Sequence, residues 1–286
     1  MAYEKKNDNC ETYESCNGVC EGCPNAPLEG KTDFRIEANE FSKIKKIYAV
    51  MSGKGGVGKS MVTSLLAVQL SKKGYKVGIL DADVTGPSIP KSFGIKEKAR
   101  GSQFGILPVQ TKTGIKLMSI NVLLEDETDP VIWRGPVIAS SIQQFYQDVI
   151  WGDIDVMLVD MPPGTGDVPL TVFQSLPVDG IITVTSPQDL VSLIVTKAMK
   201  MASMMHKELI GVVENMSYFK CPKCGENHNI FGDSHLESIL DKNNIKTYAK
   251  LPIDPDLSAL QDKGLIEDAD ASLLDSIVSK IEESLK

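Results

Sequence analysis

Residues Gly53-Lys54-Gly55-Gly56-Val57-Gly58-Lys59-Ser60 constrain this chain more than any other stretch. They follow a short apolar run at 47–51, Ile-Tyr-Ala-Val-Met, and lead into a segment from Lys59 to Ser71 whose pattern predicts a helix. A glycine-rich loop between a strand and a helix curls tightly and brings backbone N–H groups against a phosphate, where the helix N-terminus adds partial positive charge. In that setting Gly53 through Ser60 form a nucleotide cradle. Lys59 spans the β and γ phosphates, and Ser60 offers its hydroxyl to Mg2+. A flexible glycine turn would not require strand, lysine, serine and helix to be in register.

From Ile47 onward, apolar runs at 76–80, 115–120, 155–160, 180–185, 208–213 and 247–251 alternate with amphipathic helical segments. Runs apolar on both faces suit strands covered by helices, hence a largely parallel sheet with right-handed crossovers. The expected fold is an α/β P-loop NTPase with a mostly parallel sheet flanked by helices, over residues 47–286. The last helix, about 271–285, puts Leu274, Ile277, Ile281 and Leu285 on one face. Its opposite face carries Asp275, Glu282 and Glu283, which suits core packing rather than a membrane surface.

Residues 1–46 are polar, with Gly18, Gly22, Pro24, Pro27 and Gly30 scattered through them and no sustained period, so they read as a tail that folds only around something bound. Four of the six cysteines, Cys10, Cys16, Cys20 and Cys23, lie there, while Cys221 and Cys224 form a distant Cys-x-x-Cys. No apolar run reaches the roughly 18 residues of a membrane span, and the first residues lack a secretory apolar stretch. A cytoplasmic location is expected, where clustered thiols favour metal over disulfides. The formal charge of −8 opposes general attraction to nucleic acid or to anionic lipid.

Lys54 departs from a plain phosphate loop. Lys-Gly-Gly-x-Gly-Lys-Ser resembles the deviant Walker A motif of the MinD/ParA/nitrogenase-iron-protein class, which implies a homodimer in which this lysine reaches the partner's nucleotide and stabilises phosphoryl charge. Asp81-Ala82-Asp83 follows one strand. By the same resemblance it is switch I, with Asp83 orienting the attacking water and Asp81 either assisting or ending the strand. Asp160-Met161-Pro162-Pro163-Gly164-Thr165-Gly166-Asp167 follows another, with Asp160 the Walker B carboxylate that holds Mg2+ through water. Asp167 either takes part or caps the next helix.

Together with Trp133-Arg134-Gly135-Pro136, Glu214-Asn215-Met216-Ser217, Cys221-Pro222-Lys223-Cys224 and Leu251-Pro252-Ile253-Asp254, these motifs resemble the Mrp/ApbC family of P-loop iron-sulfur cluster carriers. The resemblance spans residues 47 to about 262. It implies that Asn215 and the backbone near Pro252 contact adenine. It also implies that Cys221 and Cys224, in an insertion loop at 216–232, share a [4Fe-4S] cluster with the same pair of a second subunit. Two thiolates are too few for a four-ligand site, and two-fold symmetry doubles them. Zinc held with His228 or His235 is the alternative there. The spacing Cys10-x5-Cys16-x3-Cys20-x2-Cys23-Pro24 resembles a ferredoxin-like motif, which implies a second cluster, with zinc or free thiols as alternatives.

The expected function is therefore an ATPase, slow by itself, that binds a [4Fe-4S] cluster and transfers it to apoprotein clients. A MinD/ParA-type positioning ATPase would need a basic DNA-binding patch or a basic amphipathic tail, and neither is evident. A nitrogenase-like reductase would ligate its cluster with well-separated single cysteines. A zinc-stabilised regulatory ATPase would carry zinc and no sulfide.

Overall fold

Val77–Asp81 and Gly180–Thr185 are buried at every position, as strands covered by helices on both faces must be. The computed structural model describes residues 35–83, 88–124, 135–164, 166–187 and 191–286. Cys10, Cys16, Cys20 and Cys23, along with Trp133, Arg134 and Thr165, lie outside them.

The strands are β1 (Lys43–Ser52), β2 (Val77–Asp81), β3 (Arg100–Ser102), β4 (Gly105–Leu107), β5 (Val109–Gln110), β6 (Lys116–Met118), β7 (Asp153–Asp160), β8 (Gly180–Thr185), β9 (Glu208–Lys220), β10 (Asn227–His228) and β11 (Tyr248–Pro252). The helices are α1 (Lys59–Lys72), α2 (Ile89–Ser92), α3 (Gly135–Gln147), α4 (Asp167–Ser175), α5 (Val191–Met204), α6 (Leu236–Lys242), α7 (Pro255–Asp262) and α8 (Asp275–Leu285).

The main sheet runs β5-β6-β2-β7-β1-β8-β9, and both β10 and β11 pair with β9. All pairs from β6 across to β11 are parallel. Among the described residues, β5 against β6 and β10 against β9 are antiparallel, and β3 and β4 form a separate antiparallel hairpin. β1 sits between β7 and β8, so the loop that leaves its C-terminal end opens where successive crossovers diverge, the usual ligand position in such sheets. Register aligns Asp81 with Asp160 across β2 and β7, which brings two carboxylates to one level at that edge.

Two elements differ from expectation. β1 starts at Lys43 rather than near 47, because Lys43 and Lys45 occupy the exposed positions of an alternating stretch and hide it from a search for apolar runs. β9 was expected to end near 213, with a loop from 216. It continues to Lys220, since β11 pairs along it as far as Tyr218 and β10 folds back on its last residues. The 216–232 segment is therefore the end of a long strand and a short hairpin. At the C-terminus, α8 follows a 3-10 turn over Ser272–Leu274, and Leu274, Ile277 and Ile281 are fully buried against the core.

Candidate functional site

Between β1 and α1 the chain turns through Gly56 and Gly58, with φ of 80° and 81°. Gly58 is the N-cap of α1 and no side chain caps that end, so the first-turn N–H groups face the loop's concavity. A Cβ on Gly58 would lie 2.2 Å from Asn215 Nδ2, and one on Gly53 would lie 2.6 Å from Ile194 Cγ1. The loop is thus packed against Asn215 of β9 and Ile194 of α5.

Inside the first turn of α1, Lys59 is almost fully buried and its Nζ lies 2.7 Å from Asp160 Oδ2 and 3.5 Å from Asp83 Oδ2. Ser60 Oγ donates to the same Asp160 oxygen at 2.6 Å, and Thr63 Oγ1 donates to the other at 2.7 Å. Thr63 belongs to no motif, although its i+4 spacing from Lys59 places both on one helix face. Asp81 lies deeper. Burial, then the neighbouring Asp160, pushes its carboxyl well above the usual range, while Ser119 Oγ donates to it at 2.9 Å. Asp83 lines the cavity beside the loop, whereas Asp81 does not.

That cavity is about 500 Å³ and is walled by the loop, Asn215 and Met216 of β9, Phe231 after β10, Pro252 at the end of β11, Ile253 just beyond it, and Leu257 of α7. Asp254 caps α7 by accepting from the backbone N–H groups of Asp256 and Leu257. Asn215 Nδ2 donates to the Val57 carbonyl at 2.9 Å, while Asn215 Oδ1 is buried with no partner among the described residues. A buried acceptor left open beside a cavity suits a ligand N–H donor. Amino groups on a purine base meet that requirement, and the loop meets that of the phosphates. The oxygen donors Ser60 and Asp160 suit Mg2+ in the same way. Phe231 and Leu257 carry no sequence signal, because only topology brings them to this wall.

Lys54 is exposed and lines the same cavity. Ser52 ties this loop to the segment after β7: its hydroxyl donates to the Lys54 carbonyl, and its own carbonyl accepts from Gly164 N–H, each at 2.9 Å. A change at residues 162–164 is thereby felt by the lysine's backbone.

Beyond β9, Cys221 N–H donates to Glu226 O at 2.9 Å and Gly225 N–H to Cys221 O at 2.8 Å, closing a tight turn with Gly225 at φ 76°. The turn presents Cys221 half-exposed and Cys224 exposed. Backbone N–H groups of Cys224, then of Lys223, hold the Cys221 thiol below its ordinary range. The ligand atoms of Cys221, Cys224 and His228 lie within 4.8 Å of one another. His235 is not in that group; it sits at the start of α6.

Fold and site together define a P-loop nucleotide-binding protein of the doubly wound type. Solved structures agree: a nucleotide-binding protein from Archaeoglobus fulgidus, solved with ADP, is 47% identical with TM-score 0.72, over 79% of this chain and 88% of that one. Pyrococcus furiosus MinD, 19% identical with TM-score 0.58 over 84% of this chain and 99% of that one, shares the fold. The family model described as NUBPL iron-transfer P-loop NTPase, of the ParA group, matches residues 43–286, and the chain belongs to that family. Relatives named iron-sulfur cluster carrier protein are 43% identical in Clostridium perfringens, over 88% of this chain and 94% of the relative, and 44% identical in Methanocaldococcus jannaschii, over 87% and 89%. A Dictyostelium discoideum relative, 46% identical over 79% of this chain and 87% of its own length, is named a cytosolic Fe-S cluster assembly factor NUBP2 homolog. Among the described residues no helix is long and apolar enough to cross a membrane.

Proposed function

We propose that this chain is an ATP-dependent carrier that binds a [4Fe-4S] cluster at Cys221 and Cys224 and passes it to apoproteins. One observation carries the reading: β9 joins the two sites, with Asn215 at the nucleotide cavity and Cys221 one residue beyond its end. The return segment comes back to the same cavity through Phe231. A ligand that orders the cavity wall therefore acts on both arms of the thiol hairpin.

In this reading the buried pairs of the site are exchanged when ATP binds. Lys59 leaves Asp160 for the β and γ phosphates, and Ser60 and Asp160 become free to hold Mg2+, directly or through water. Thr63 keeps the second Asp160 oxygen and so fixes the carboxylate's orientation. Mg2+, when bound, neutralises charge on the phosphate oxygens. Asn215 Oδ1 accepts from the adenine amino group, with the backbone near Pro252 alongside. Asp83 orients the attacking water.

Lys54 acts in trans, on the nucleotide of a second copy of the chain. The same homodimer supplies four thiolates to one cluster, two from each protomer. The segment that precedes β1 holds a further cluster or zinc through Cys10, Cys16, Cys20 and Cys23. The apoprotein clients are recognised as proteins, with no role for nucleic acid or membrane.

Anaerobic reconstitution with iron and sulfide tests the cargo. The expected product carries acid-labile sulfide in proportion to iron; stoichiometric zinc with no sulfide would overturn the reading. For Lys54→Ala, hydrolysis is expected to fall by roughly 10²–10³-fold, the scale of losing one donor to transition-state charge. ATP affinity should change little, and a kcat equal to wild type in steady-state assays would remove the lysine from catalysis.

A further inference from the structure

We propose that a single protomer binds a mononuclear divalent cation of the zinc type through Cys221, Cys224 and His228, without a second subunit. The site is distinct from a bridging cluster, although it shares two ligands with it. It rests on the proposed function only in that the same thiols serve both.

The hairpin register puts the histidine there. His228 stands opposite Phe219, and directly opposed residues of an antiparallel pair project to the same face. Cys221 follows Phe219 by two, and its N–H bond to Glu226 O continues the ladder one step, so Cys221 and His228 share that face. The turn closed by Gly225 then brings Cys224 back toward them. Among the described residues this is the one group of three or more potential metal ligands whose atoms converge, within 4.8 Å.

Tetrahedral zinc, with Zn–S near 2.3 Å and Zn–N near 2.0–2.1 Å, sets its ligand atoms roughly 3.5–3.8 Å apart. Side-chain rotation at two cysteines and one histidine on an exposed hairpin covers the difference. Two soft thiolates and an imidazole suit zinc, and the fourth position stays open to water, as in sites where the ligand set must be able to change.

The chemistry separates two states of the hairpin. One protomer supplies three ligands, enough for the cation and too few for a four-ligand cluster, while two protomers supply four thiolates. Cation binding on the monomer occupies the thiolates and opposes cluster assembly, so the cation acts as a competitor of the cargo.

The test uses the full-length chain with Cys10, Cys16, Cys20 and Cys23 replaced by serine, titrated anaerobically with Co2+ alone at a concentration where sedimentation shows a monomer. The expected result is one Co2+ per protomer, with the visible absorption of a tetrahedral thiolate site, displaced by Zn2+. His228→Ala should weaken Co2+ binding by at least the roughly 10–100-fold that even an outer-shell partner is worth, and His228→Cys should restore it. Unchanged affinity in His228→Ala, or half an equivalent of Co2+ bound only by a dimer, would overturn the inference. Iron and sulfide reconstitution of the same protein keeps the two readings apart. A normal cluster with Co2+ binding indifferent to His228 sinks this site alone, whereas His228-dependent Co2+ binding with no sulfide uptake sinks the carrier function alone.

Discussion

Gly58→Ala is expected to weaken ATP binding by about 100-fold, or roughly 2.7 kcal/mol, while the sheet stays folded. Three costs act together. Residue 58 has φ of 81°, where a Cβ costs roughly 1–2 kcal/mol. That Cβ would sit 2.2 Å from Asn215 Nδ2, and Asn215 is fully buried. Displacing Asn215 breaks its bond to the Val57 carbonyl, worth about 1 kcal/mol, and moves the open Oδ1 acceptor away from the base. The strain relaxes if the loop abandons its curled form, which spares the core and removes the phosphate cradle. Calorimetric titration with ATP, beside a thermal melt, measures both. Affinity within threefold of wild type would mean that the loop adopts another shape when it binds nucleotide.

For Cys221→Ala or Cys224→Ala, the expected result is loss of the whole hairpin cluster, with ATP affinity unchanged. Two-fold symmetry sharpens the effect: one substitution in the gene removes two of four ligands from the shared site. The N-terminal cysteines remain, so iron and sulfide should fall by one cluster per dimer rather than to zero. ATP binding should survive because neither cysteine lines the nucleotide cavity. Metal and sulfide analysis of wild type and both variants, reconstituted side by side, gives the comparison; equal content would place the cargo elsewhere.

The readability of these features in the sequence followed their contiguity. Gly53 to Ser60 is one unbroken stretch flanked by a strand and a helix, so position along the chain and position in space coincide. Asp83 and Asp160 were legible because parallel strands deliver their C-terminal residues to one edge. The rest of the cavity's wall was not: Phe231 and Leu257 come from segments that meet Asn215 and Met216 only through the pairing of β11 with β9. The length of β9 is hidden in the sequence, since Asn215 to Ser217 look like turn residues until β11 pairs along the strand as far as Tyr218 and β10 pairs with Phe219 and Lys220. Sequence alone left His228 and His235 as equal candidates to join the thiols. The β9–β10 register separates them, and no spacing rule stands in for it.

Control of a transferable cluster by the nucleotide is tested most directly by cluster transfer itself. Reconstituted protein is mixed anaerobically with an apo-ferredoxin or an apo-aconitase-like acceptor, with ATP and Mg2+, with ADP, or with neither, and cluster appearance on the acceptor is followed in time. Transfer that depends on Cys221 and Cys224 and changes rate with the nucleotide is the predicted result. A cluster that never leaves the protein, or leaves at one rate whatever the nucleotide, would contradict it.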